Sequence, residues 1–285
     1  MDENLRVDRG VQTRHLDSWK DFYALIADDL SNAPAYIFRG QADAEWLVES
    51  SLDRLEKRFP TKPNFCGRIP ERFNCPPASR TTHLTAFRQV MRGRRGSNPP
   101  PLSEDECWAL AQHHGLATPM LDWTLLPFAA LFFAFEDELR VDTDGKVSPP
   151  EQRAVFALST SVINDHSTDA NPAPMLYSPT SETSHRLVSQ SGLFLKMPGK
   201  TDLENYVQTH FQDDTSSPQR LHARPVLIKI VVKNDDRIGC LKMLNKMNIN
   251  RMTLFPDLDG AARYINALWE IDFDTSLGYV GDDSL

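Results

Sequence analysis

Residues 125 to 135 form the longest apolar stretch of the chain, eleven residues long and broken only by Pro127. Crossing a bilayer takes roughly 20 apolar residues, so this run is too short to span one. It reads instead as a helix buried in a protein core. The helix is expected to start near Thr124, whose hydroxyl can cap it, and Pro127 is tolerated in a first turn. At 285 residues, 40% hydrophobic and 25% charged, the chain is long and apolar enough to bury such a helix without disulfide or metal staples.

Residues 1 to 10 alternate acidic and basic side chains and lack the apolar centre of a secretory signal, so a cytoplasmic protein with no membrane partner is expected. Cys66, Cys75, Cys107 and Cys240 show neither a CxxC pair nor zinc-finger spacing to histidine. Reduced thiols and no metal site are the expectation. A net charge of -8 counts against dedicated binding of duplex DNA, because Lys and Arg supply most of the affinity for phosphate backbones. It leaves room for a local basic site.

Along the chain, Trp19, Phe22, Tyr23 and Ile26 recur at helical spacing within residues 17 to 28. Residues 35 to 39 form a short β-rich run closed by Gly40, a strand that delivers Arg39 to a rim. Residues 60 to 101 are rich in Pro, Arg, Ser and Asn around one apolar segment at 84 to 91, and read as an inserted excursion. Arg92, Arg94 and Arg95 form a basic knot there, either a solvated surface or a contact for a phosphate-bearing partner. Ser103 and Glu106 make a capping box, and Gly115 stands where a left-handed C-cap is wanted, so a helix is predicted between them with His113 and His114 in its last turn.

Residues 116 to 123 read as a strand or extended turn, and residues 154 to 159, 193 to 196 and 226 to 232 as strands, the last apolar enough for a central position. Residues 241 to 247 and 260 to 269 are helical by periodicity. The fold class predicted is α+β, a central mixed or antiparallel sheet of roughly five to seven strands flanked by helices, with the Pro/Arg-rich region inserted. The chain is read as one domain over residues 1 to 285, its core at about 35 to 268.

Chemistry concentrates in two places. Arg39 carries a planar, permanently charged fork suited to carboxylate or phosphate, or else forms a buried ion pair with Asp122 or Asp259. Asp122 can orient a ribose or a base, or serve as a carboxylate at a helix start. Trp123 can stack on a base or belong to the core. His113 and His114 have the intrinsic pKa for proton transfer near neutrality, or bond a local carbonyl at the helix end. Neighbours on a helix point about 100° apart, so only one of the two is expected to face a given cleft. Asp257 and Asp259, beside Pro256 and Gly260, read first as turn and cap residues. No GxGxxG, P-loop, HExxH or GxSxG occurs, which removes support for dinucleotide-fold oxidoreductases, ATPases, zincins and α/β hydrolases.

The triplet Phe38-Arg39-Gly40, followed by Gln112, His113, Gly115, Thr118, Leu121, Asp122, Trp123, Thr124, Pro127 and Ala134, resembles the FRG domain, named for its Phe-Arg-Gly motif. Later pieces are similar too: Arg186, Gln190, Gly192 and Phe194, and the run from Leu254 to Gly260. Pro119 and Met120 stand where members often carry a basic residue. The order of parts is also similar to ADP-ribosyltransferases, with Arg39 on an early strand, Thr118 and Thr124 in the middle and Gln190 late. What this implies is a polar cleft for a nucleotide-like small molecule, NAD as substrate, and ADP-ribosyltransferase-like or NAD-cleaving chemistry in bacterial or phage conflict. His113 and Gln190 would be catalytic there. Arg39, Gln41, Thr118, Asp122, Trp123 and Thr124 would bind the ligand. The absence of a clear late Glu counts against transfer to a protein acceptor. The alternatives are a non-catalytic sensor or interaction module of a defence system that meets a protein target, and an RNA-processing protein built around Arg92 to Arg95.

Overall fold

The computed structural model describes residues 7–30, 36–60, 79–137, 140–141, 147–160, 173–179, 185–211 and 225–271. Its centre is a sheet with eight strands among those residues: β1 (Val7–Asp8), β2 (Val11–Leu16), β3 (Tyr36–Gln41), β4 (Met120–Thr124), β7 (Gln152–Ser159), β8 (Met175–Tyr177), β9 (Gly192–Lys196) and β10 (Leu227–Lys233). The remaining two, β5 (Arg140–Val141) and β6 (Val147–Ser148), make a separate small hairpin. Strand order is β1-β2-β10-β7-β3-β4-β9-β8. The pair β2/β10 is parallel and the others are antiparallel, so the sheet is mixed and the fold is α+β. The apolar run of β10 is central, as its composition requires, with β2 on one side and β7 on the other.

Strand β3 shows how the layers are built. Side chains alternate across a strand, so Tyr36 and Phe38 join the core on one face and Ile37 joins the core on the other. The first face is covered by α5 (Pro127–Phe135), the predicted apolar helix, which packs against Phe38, Val155 and Ile230. At Gly40 that helix touches the strand. A Cβ there would lie 2.0 Å from the Ala130 carbonyl oxygen and 2.6 Å from the Ala134 nitrogen, so the motif glycine is a clearance for α5. The second face is covered by the helix Leu203–His210, through Leu203, Tyr206 and Val207.

The end of α5 is held by arginines. Arg153, on β7 and 0% exposed, donates from Nη1 to the Ala134 carbonyl at 2.6 Å and from Nε to Asn234 Oδ1 at 2.5 Å. Its guanidinium lies 5.2 Å from the centre of the Phe135 ring. Arg237 donates to the Phe135 and Glu136 carbonyls at 2.8 and 2.6 Å. Positive charge at a helix C-terminus satisfies both the unpaired carbonyls and the dipole. Burial pulls the Arg153 pKa down to about 10, which still leaves it protonated at neutral pH.

Helix α4 (Glu104–His113) begins and ends as predicted. Ser103 Oγ accepts from the Glu106 N–H at 3.2 Å, Glu106 Oε2 accepts from the Ser103 N–H at 2.8 Å, and Gly115 has φ +83°. Three expectations need correction. The first helix spans only Asp21–Leu25 before widening into a π-type turn over Ile26–Leu30. Thr124 is the last residue of β4, and its Oγ1 accepts from the Leu126 N–H at 3.0 Å just ahead of α5. Of residues 116 to 123, read as a strand or extended turn, only those from Met120 on are strand, which runs to Thr124.

Within the excursion, residues 61–78, which include Cys66 and Cys75, lie outside the described residues. The part that follows is helical, α3 (Arg80–Val90), capped by Ser79 and Thr82. Its first residue is anchored to the core. Arg80 Nη2 donates to both oxygens of the buried Asp53, at 2.9 and 3.0 Å, near the start of α2 (Ser51–Arg58). No helix of the described residues is long and apolar enough to cross a membrane.

Candidate functional site

Strands β3 and β4 meet at one register pair, Phe38 with Thr124. Each is otherwise committed elsewhere: β3 runs alongside β7 from Tyr36 to Gln41, and β4 alongside β9 over its full length. Beyond Phe38 the two part, and a cleft of about 820 Å³ opens at the split. Arg39 stands at the fork, donating from Nη1 to the Asp122 main-chain carbonyl at 2.7 Å. A side chain thus satisfies a carbonyl that a regular ladder would have paired with backbone.

The Asp122 carboxylate faces the cleft and is held from behind. Gln112 Nε2 donates to Oδ1 at 2.8 Å. The Thr118 hydroxyl donates to Gln112 Oε1, which fixes which end of the amide meets Asp122. Thr118 is 0% exposed and also anchored: its N–H donates to Ser51 Oγ at 2.9 Å, and its Oγ1 accepts from the Met120 N–H at 3.2 Å. Solvent reaches Asp122 from the cleft, but protein crowds it on its other sides. That desolvation raises its pKa, with the Arg39 charge and the Gln112 bond pulling the other way. For Arg39 desolvation lowers the pKa and the Asp122 charge opposes it.

Thr118→Val keeps the volume and removes the hydroxyl, so it is expected to cost about 1–3 kcal/mol and to free the Gln112 amide to turn. A lower urea midpoint with an unchanged m-value checks the first part.

The cleft gathers parts distant in the chain. His113, the last residue of α4, and His114, its C-cap, both line it, with their rings edge to face at 5.0 Å. The expectation that one would turn away is corrected, because His114 has already left helical geometry at φ -97°. The His113 imidazole is lowered from its usual pKa by desolvation, then by the charges of His114 and Arg186, against the opposing pull of Asp257. Arg186 is bonded to Asp257 and lies 5.5 Å from the centre of the Phe255 ring. Asp257 also caps the helix Leu258–Glu270, accepting from the Gly260 N–H at 2.8 Å. Arg94 and Arg95 enter the same cleft from the turn after α3, so the basic knot is part of the site wall.

Two expected ligand contacts, Thr118 and Gln41, sit outside the cleft, and others border it already engaged. Thr118 does not line the cleft; it is the support behind Gln112. Gln41 is buried outside it, its Nε2 donating to the Trp46 carbonyl at 3.0 Å. Trp123 borders the cleft but is only 2% exposed, its side chain packed in the core on the opposite face of β4. Thr124 borders the cleft with its hydroxyl already donated to the Gln190 carbonyl at 2.5 Å. Gln190 lines the cleft too, its Nε2 tied to the Leu254 carbonyl at 3.1 Å. Asp259 pairs with Arg263 at 3.1 Å, so it is not the partner of Arg39.

Sequence reasoning placed Gln112 in a motif without giving it a role, and gave none to Arg186 or Phe255. Arg186 and Phe255 gain their places through partners far along the chain, Asp257 and Phe133, whereas Gln112 bonds Thr118 and Asp122 within its own motif, where the close spacing of the three was the available signal. Among known proteins, the family model of the FRG domain matches residues 34–143. No curated protein and no solved structure matches the chain. The matched span contains Arg39, Gln112, His113 and Asp122, the residues around the cleft floor. Residues 34–143 are thus similar to the FRG domain, and within that segment the triplet glycine serves α5 and the triplet arginine serves the cleft.

Proposed function

We propose that the cleft binds a nucleotide-type ligand, with NAD as the substrate, and that Arg39 receives one of its phosphates. The observation behind this is the state of Arg39. Its guanidinium lines the cleft, makes one hydrogen bond to a main-chain carbonyl, and leaves the rest of its donor fork without a partner among the described residues. Such a fork matches phosphate and stays charged at any physiological pH. The volume falls within the range of small-molecule sites, about 300–1,000 Å³. Phe133, Phe194 and Phe255 give a base an apolar wall, and Asp122 offers an acceptor to a ribose hydroxyl.

Calorimetry with NAD and with ADP-ribose tests the reading. Wild type is expected to bind, and Arg39→Ala to bind about ten- to a hundredfold more weakly. No heat from wild type with either ligand sinks it. In an ADP-ribosyltransferase-like or NAD-cleaving reaction, His113 is the proton acceptor and Gln190 orients a substrate hydroxyl. A lowered imidazole pKa keeps His113 neutral at pH 7, so turnover is expected to hold at neutral pH and to fall in acid, below the usual imidazole range. A role in bacterial or phage conflict belongs to this proposal and rests on the family resemblance.

A sensor that holds the same ligand without turnover is the second reading. It is favoured by Gln190, whose amide cannot act as a general acid or base and is already tied to Leu254. Expression in cells separates the two. NAD depletion by wild type but not by His113→Ala supports catalysis, and equal NAD levels support the sensor. RNA binding would show in filter assays as a steep salt slope.

A further inference from the structure

The partners of the arginines in the cleft point to more than one phosphate. Among the described residues four arginines line it, Arg39, Arg94, Arg95 and Arg186, against two carboxylates, Asp122 and Glu106. This is a positive hollow in a protein that carries 39 acidic and 31 basic residues. Arg186 is matched by Asp257. Each of the other three donates to a main-chain carbonyl: Arg39 to Asp122, Arg94 to Val90, and Arg95 to Pro100 at 2.9 Å. A carbonyl fixes the direction of a guanidinium and cancels none of its charge. Asp122 offsets part of the charge of Arg39, while the Glu106 carboxylate near Arg95 is engaged at the Ser103 cap. In an acidic protein, exposed arginines have carboxylates to choose from. Two neighbouring arginines held to backbone at the mouth of a cleft are set for an anion from outside.

Resting on the nucleotide reading above and deepening it, we infer that the ligand carries a diphosphate or longer phosphate chain, and that Arg94 and Arg95 grip its outer phosphate while Arg39 holds the inner end. The anchoring of the segment supports this assignment. The turn bearing Arg94 and Arg95 follows α3, whose first residue is tied to Asp53, and it runs on through Pro99 and Pro100, which also border the cleft. The wall is therefore braced at its base by an ion pair and stiffened at its far end by prolines, with little chain entropy left to lose when it closes on an anion. Arg92, exposed on the same turn, does not line the cleft and serves as the internal control.

Calorimetry with inorganic pyrophosphate, orthophosphate, ADP and AMP tests the inference. Wild type is expected to bind ADP at least about tenfold more tightly than AMP, and pyrophosphate more tightly than orthophosphate, since each charge-assisted contact contributes about that factor. The double variant Arg94→Ala/Arg95→Ala should lose the preference for ADP and keep AMP binding, whereas Arg92→Ala should change neither. Equal affinities for ADP and AMP in wild type overturn the inference, yet leave the nucleotide reading standing. No binding of any of the four overturns the inference, and the nucleotide reading falls with it only where NAD and ADP-ribose also give no heat. Pyrophosphate binding without ADP binding identifies a free polyphosphate as the ligand, which supports the chemistry of the wall and removes the nucleoside. Should the double variant fail to fold, the wild-type series alone decides.

Discussion

Gly40→Ala is expected to be the most damaging single methyl that can be added to this sheet. The new Cβ would meet the Ala130 carbonyl oxygen at 2.0 Å and the Ala134 nitrogen at 2.6 Å, and both are backbone atoms of a helix that cannot rotate out of the way. Relief requires α5 to lift from β3. That uncovers Phe38 and opens the core where Ala129, Ala130 and Ala134 permit the close approach. Overpacking of a core costs about 1–3 kcal/mol and sometimes more, and a displaced helix belongs at or above the upper end. At roughly 2–4 °C per kcal/mol for a protein of this size, the melting temperature should fall by about 10 °C or the protein should not accumulate. A melting curve within a degree or two of wild type would show that α5 can shift freely.

Arg153→Met is expected to be nearly as severe, for the opposite reason. Methionine fills similar space but donates nothing, so the buried Ala134 carbonyl and the half-buried Asn234 Oδ1 lose their donor. Each stranded acceptor costs about 1–3 kcal/mol. Some of that is returned, because Nη2 of Arg153 is itself buried without a partner, and removing it removes that penalty. A net loss of about 3 kcal/mol is the balance, read as a lower urea midpoint. Arg153→Lys, which keeps the charge but cannot reach both acceptors from one flat group, should fall between the two. A methionine variant as stable as wild type would mean that Arg237 alone can hold the end of α5.

The reach of sequence reasoning follows from where each residue finds its partner. Both ends of α4 are legible because Ser103, Glu106 and Gly115 act within one turn. The apolar run of α5 and the central strand β10 are legible because composition alone marks them as covered. Strand β2 is not, since Gln12, Thr13, Arg14 and His15 become a strand only by lying beside β10, far along the chain. Arg153 looks like an ordinary surface arginine until α5 is placed above it. In the site, the letters Phe38-Arg39-Gly40 and Gln112 to Thr124 located the cleft, but side-chain direction sorted their roles. Asp122 faces the opening while Trp123, one residue on, faces the core. A list of motif letters treats the two alike.

Strand order also decides what can be cut from this chain. The neighbour of β3 is β7, which begins at Gln152, and the neighbour of β4 is β9, which begins at Gly192, both beyond residue 143. A fragment trimmed to residues 34–143 would carry β3 and β4 joined by one bridge, with both flanks bare, and paired strands without further partners are marginal in water and prone to stick to one another. The recognisable segment is thus an inset rather than an autonomous unit. During translation, Arg39 and Asp122 must wait for strands made later before either has a wall to stand in.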